Sequence, residues 1–142
     1  MKAVDILLVE DNPGDIRLTQ EAMKEARLTN TLHVARNGVQ ALDFLHQRGE
    51  FAAAPRPDLV LLDLNLPQLS GREVLKQMKD DAELRRIPVI VLSTSEASRD
   101  VLESYDLHAN CYINKPVDFD EFLRLLVSIE SFWFQLVKLP TQ

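Results

Sequence analysis

The chain has 142 residues, 16 Lys and Arg against 22 Asp and Glu, a formal charge of −6, 46% hydrophobic residues and a single cysteine, Cys111. That length is one domain's worth, and the composition, with 4 Gly and 7 Pro, suits a soluble globular fold with a continuous core and excludes disordered and fibrous classes. One cysteine excludes an intramolecular disulfide or a cysteine metal cluster, no apolar run approaches the ~20 residues that span a bilayer, and the acidic balance offers no footprint for phosphate backbones. The N-terminus carries Lys2, Asp5, Glu10 and Asp11 with no signal-peptide pattern, so a cytoplasmic location with no membrane and no nucleic-acid partner is expected.

The first apolar run, Val4 to Val9, is broken only by Asp5 and predicts a strand that ends at Glu10 and Asp11. Asn12-Pro13 then places a cap candidate before a proline at the first helical position, and Ile16, Thr19, Met23 and Ala26 follow at helical spacing. Leu32 to Ala35 predicts the second strand, and Gly38 opens a helix with Val39, Leu42 and Leu45 on its inner face. Gln47 to Asp58, with three alanines and two prolines, reads as a long surface connection. Leu59 to Leu62 predicts the third strand, ending at Asp63, and Gly71 starts a helix carrying Val74, Leu75 and Met78. Val89 to Leu92 leads to Ser93 and Thr94, and Cys111 to Ile113 leads to Lys115-Pro116. The pattern is (βα)5, a parallel sheet covered on both faces by helices, with right-handed crossovers.

In such sheets ligands sit at the carboxyl ends of the strands. Glu10, Asp11, Asp63, Ser93 and Lys115 all stand there. Any one of them has a bland reading as a helix cap or solvated charge; their joint placement at four strand ends does not. Three carboxylates a few ångströms apart repel unless a cation intervenes, and an all-oxygen set suits Mg²⁺, to which the Asn65 backbone carbonyl can add a ligand. Asp63, expected to be the deepest of the acids, is the candidate nucleophile for phosphoryl transfer, with Glu10 and Asp11 as the metal pair and Ser93 and Lys115 holding phosphoryl oxygens.

The stretches LLVEDN, LLDLNLPQLSG, VIVLSTS and YINKP, in this order across residues 4 to 136, resemble the receiver domain of two-component response regulators. The resemblance implies a flavodoxin-like three-layer sandwich with strand order 2-1-3-4-5, and a single receiver domain over residues 1–142 with an extended C-terminal helix and tail from about 118. It implies that Asp63 accepts a phosphoryl group from a histidine kinase, and that Glu10, Asp11, Asp63 and the Asn65 carbonyl hold Mg²⁺. It also implies that Lys115 contacts the phosphoryl oxygens, that Ser93 and Tyr112 form a switch pair, and that the Lys115-Pro116 bond is cis. The stretches REVLKQMKDDAELRRIPVIVLSTS, SYDLHANCYINKPVDFDEF and SIESFWFQLVKLP are similar to the single-domain regulators of cyanobacterial phytochrome-type kinases, which implies a light-signalling phosphorelay.

The last helix, roughly Phe119 to Val137, carries an apolar stripe of Phe119, Phe122, Leu126, Ile129, Trp133 and Leu136. Leu123, Val127 and Phe134 widen it on one side and Leu125 and Phe132 on the other, to an arc of roughly 220°, twice what one-sided burial needs. A homodimer through helix 4 (the helix the βα pattern puts between the fourth and fifth strands), strand 5 and helix 5 (the last helix), including Phe119, Phe122, Leu123, Val127 and Phe134, is therefore expected; the resemblance points to the same surface. His33, His46 and His108 pair with no nucleophile, Cys111 reads as a buried small hydrophobe, and Trp133 as packing or interface. Lys79-Asp80-Asp81 and Arg85-Arg86 read as a solvated helix end and loop. Two rivals remain at this point. A haloacid-dehalogenase-like phosphohydrolase would want its nucleophile on the first strand in an Asp-x-Asp motif, which Asp63-Leu64-Asn65 is not. A flavodoxin-like binding module would want a Ser/Thr/Gly phosphate loop where Glu10-Asp11 stand.

Overall fold

The structure is a computed structural model and describes residues 5–25, 31–93, 111–114 and 119–129. Five parallel strands form one sheet: β1 (Asp5–Val9), β2 (Thr31–Ala35), β3 (Leu59–Leu62), β4 (Val89–Ser93) and β5 (Cys111–Asn114), in the order β2-β1-β3-β4-β5. The helices are α1 (Pro13–Glu25), α2 (Gly38–Leu45), α3 (Gly71–Asp80) and a C-terminal helix (Phe119–Ile129). Three of these helices start where a side-chain acceptor meets an otherwise unpaired N–H. Asn12 Oδ1 accepts from the Asp15 N–H of α1, Asn37 Oδ1 from the Gln40 N–H of α2, and Ser70 Oγ from the Glu73 N–H of α3. At α2 the Gln40 Oε1 also accepts from the N–H of Arg36, the residue before the Asn37 cap, which ties the entering chain to the first turn.

Period-two alternation divides the core into two layers. Leu7, Val9, Val60, Leu62, Val89 and Val91 pack with α2 and α3 on one face, while Ile6, Leu8, Leu59, Leu61, Ile90 and Leu92 pack with Ile16 and Met23 of α1 and Leu126 of the C-terminal helix on the other. Both faces are covered, so the central strands tolerate almost no polar residue before their C-terminal ends. The expected strand order and the helical cover on both faces are present, and the helix expected between β4 and β5 lies outside the described residues.

Three expectations need correction. Val39 is 47% exposed, whereas Ala41, Leu42, Phe44 and Leu45 are buried; Val39 lies about 140° around the short helix from the centre of that set. Gln47 to Asp58 is not a bare surface connection. It contains a 3-10 turn at Gly49–Phe51, Phe51 and Ala54 pack on the core, and the Phe51 ring lies 5.5 Å from that of Phe44. The Lys79-Asp80-Asp81 segment is structural rather than merely solvated. The Lys79 amine donates to the carbonyls of Ile87 (3.3 Å) and Arg85 (3.4 Å), and its burial pulls it below the ordinary lysine value. Asp81 Oδ1 accepts from the N–H groups of Glu83 and Leu84, capping the 3-10 turn Leu84–Arg86. His33 is a boundary residue as expected, with Nε2 2.9 Å from Asp5 Oδ1. Val4, Ala26, Thr94, His108, the Lys115-Pro116 bond, Phe132, Trp133, Phe134 and Leu136 lie outside the described residues.

Candidate metal centre

The parallel ladder continues one residue past β1 and β3. The Glu10 N–H donates to the Ala35 carbonyl and the Asp63 N–H to the Val9 carbonyl, each at 3.0 Å. Alternation therefore carries Glu10 onto the face of Ile6 and Leu8, and Asp63 onto the face of Leu59 and Leu61. The two side chains leave adjacent strand ends on the same side of the sheet. Both are buried, Glu10 at 2% and Asp63 at 7% exposure, so Asp63 is not the deepest acid as expected; Glu10 is at least as enclosed. Asp11 follows on the loop and is exposed.

One carboxylate oxygen from each of Glu10, Asp11 and Asp63 lies within 4.8 Å of the others. The three side chains are thus close enough to hold one small cation between them once they turn toward it. The donor set, all oxygen and concentrated in a half-buried strand edge, fits a hard divalent cation. Local bonds brace it. Glu10 Oε1 accepts from the Asn12 N–H (3.3 Å) and Asp63 Oδ1 from the Asn65 N–H (2.9 Å), which fixes both loops to the acids that precede them.

The loop after Asp63 is held from its far side by Gly71. Its N–H donates to the Leu64 carbonyl, and a Cβ there would stand 2.3 Å from the Asp63 carbonyl oxygen and 2.6 Å from Leu64 Cα. Gly38 meets the same loop from α2, where a Cβ would approach the Leu69 carbonyl to 2.4 Å. Glycine at both helix starts is thus what lets the loop lie against the sheet.

Of the other expected site residues, Ser93 ends β4 and pairs with Asn114 of β5, and Tyr112 pairs with Val91. Their backbones are therefore at the same sheet edge as the acids or one residue back from it. Lys115 lies outside the described residues, one position beyond the end of β5. Asp15 and Thr19 of α1, which the sequence reading did not promote, line a recess shared with Glu10, Asp63, Leu8, Leu61 and Leu92. Their four-residue spacing on the stripe of Ile16 and Met23 was the available signal.

Comparison with known proteins places this geometry in context. A family model described as the response regulator receiver domain matches residues 6–127. The response regulator Rcp1 of Synechocystis sp. is 48% identical over 135 residues, covering 95% of this chain and 92% of that protein. Among solved structures, the phosphorylated cyanobacterial phytochrome response regulator RcpA is similar with a TM-score of 0.93 and 48% identity, covering 99% of this chain and 100% of that one. The Mn²⁺-bound form of Rcp1 is similar with a TM-score of 0.89 and 47% identity, covering 97% and 99%.

Proposed function

The chain belongs to the response regulator receiver domain family, whose members are phosphoacceptor signalling proteins rather than classical enzymes, and we propose that Asp63 is its phosphoacceptor. The observation that carries this is the convergence of Glu10, Asp11 and Asp63 within 4.8 Å at the strand ends. An Asp63 carboxylate oxygen attacks the phosphorus of a kinase phosphohistidine; the new O–P bond forms as the N–P bond breaks, and the imidazole leaves with the electron pair. Mg²⁺, when bound by Glu10, Asp11, Asp63 and the Asn65 carbonyl, neutralises the charge that gathers on the phosphoryl oxygens. Lys115 contacts the same oxygens. Ser93 and Tyr112 act as the switch pair that passes phosphorylation to the surface of helix 4, strand 5 and helix 5. The same site supports autophosphorylation from small phosphodonors and self-catalysed hydrolysis of the phosphoaspartate.

The partner in this reading is a histidine kinase of the phytochrome type, supported by the likeness to Rcp1 and RcpA. In this reading the receiver domain acts in the cytoplasm; among the described residues no helix is long and apolar enough to cross a membrane. A homodimer forms through Phe119, Phe122, Leu123, Val127 and Phe134; the 42% exposure of Val127 supports this, while Leu123 also leans on the core. The phosphohydrolase reading has no observation in its favour. Incubation with acetyl phosphate and Mg²⁺ followed by intact mass tests the proposal. An increment of about 80 Da, the mass of a transferred phosphoryl group, that is absent in Asp63→Asn supports it; labelling that survives the substitution overturns it.

A further inference from the structure

The recess at the foot of the acidic cluster has an apolar floor, Leu8, Leu61 and Leu92, and a polar rim to which α1 contributes Asp15 and Thr19. Asp15 stands at the third residue of α1 and is half-buried. It is tied to the cluster by a short run of bonds. Glu10 Oε1 accepts from the Asn12 N–H, Asn12 Oδ1 accepts from the Asp15 N–H at 3.1 Å, and the buried Thr19 hydroxyl donates to the Asp15 carbonyl at 2.9 Å. Asp15 is not among the acids whose oxygens all lie within 4.8 Å of one another. It is therefore set back from the direct ligands while sharing their recess.

We propose that Asp15 is a positioning residue of the metal site, its carboxylate accepting hydrogen bonds from the waters that a divalent cation retains when Glu10, Asp11 and Asp63 hold it. Magnesium dehydrates reluctantly and keeps several waters, and those waters need acceptors where the floor of the site is apolar. A carboxylate on the first turn of α1 supplies one and adds negative charge without crowding the ion. The competing account of Asp15 is a first-turn acid that complements the helix dipole. That account predicts a loss of stability without metal and no change in metal binding. The present one predicts the reverse, because Asp15→Asn keeps the backbone N–H that Asn12 accepts.

This inference rests on the proposed reading of the acidic cluster, so the test includes a variant of that cluster. Calorimetric titration of the full chain with Mg²⁺, and with Mn²⁺ as a second probe, is compared for wild type, Asp11→Asn, Asp15→Asn and Asp15→Glu. Thermal midpoints are measured in chelator and in metal. We expect Asp15→Asn to bind about tenfold more weakly, Asp15→Glu to recover part of the loss, and the midpoint in chelator to stay near that of wild type. If Asp11→Asn loses affinity while Asp15→Asn keeps it, the Asp15 assignment is overturned and the cluster reading stands. If neither substitution changes affinity, both are overturned.

Discussion

The acid cluster carries a cost to the metal-free fold that can be measured at Asp63. At 4.8 Å, the outer limit of the separations within the cluster, unit charges repel by about 3.5 kcal/mol at an effective dielectric of about 20 and by about 0.9 kcal/mol in bulk water. Glu10 and Asp63 are both more than nine-tenths buried, so their repulsion lies toward the first figure; Asp11 is exposed, so its repulsion with Asp63 lies toward the second. Asp63→Asn removes both repulsions at once. The amide keeps an oxygen to accept from the Asn65 N–H, so that bond survives the substitution. After relaxation of the loops, a gain of about 2 kcal/mol in the metal-free protein is expected. Urea unfolding followed by circular dichroism, in chelator and in saturating Mg²⁺, reads it. The variant should be the more stable protein in chelator, and wild type should close the gap in Mg²⁺, since a ligand that binds only the folded state stabilises it by mass action. A variant no more stable than wild type in chelator refutes the reasoning, because the carboxylates would then not be repelling one another.

Other outcomes follow from the same structure. Gly71→Ala forces the new Cβ onto the backbone of Asp63 and Leu64, so it should cost about 3 kcal/mol and slow phosphorylation. Gly49→Ala, at φ +62 with nothing within 4 Å, should cost only about 1 kcal/mol by denaturation; equal losses would show that space at Gly71 is not the constraint. The N–H groups of Leu84 and Glu83 hold the Asp81 carboxyl below its ordinary value of 3.8. The folded state thus binds the proton less readily than the unfolded one, so the stabilisation is complete above that value and is lost as pH falls through the lower folded value. Asp81→Asn should flatten this acid limb, by a modest amount because the group is partly exposed; thermal midpoints of the two proteins that fall in parallel with pH would refute it. Sedimentation should show a homodimer at micromolar concentrations that Val127→Asp weakens without altering the circular dichroism, and a wild-type monomer with and without a phosphoryl mimic would sink the dimer.

Much of this protein is legible in its sequence because the signals are local. Each strand's run of Leu, Val and Ile, each cap such as Asn12, and the acids Glu10, Asp11 and Asp63 just past the first and third runs depend only on residues a few positions apart. The pairing of those acids into one site was inferred from strand order, and the ladder bonds from Glu10 to Ala35 and from Asp63 to Val9 are what realise it. Other features depended on contacts no local pattern carries. Val39 faces outward because α2 docks on the core through Ala41, Leu42, Phe44 and Leu45. Lys79 and Asp81 gain partners because the chain after α3 turns back beside them and presents carbonyls and N–H groups they can satisfy. Asp15 shares a recess with Glu10 and Asp63 because α1 packs its inner stripe on the sheet face that carries them. Periodicity chooses which residues face inward, whereas the docking of one element on another chooses what they meet there; the first is written in the spacing of side chains, and the second exists only once the sheet is assembled.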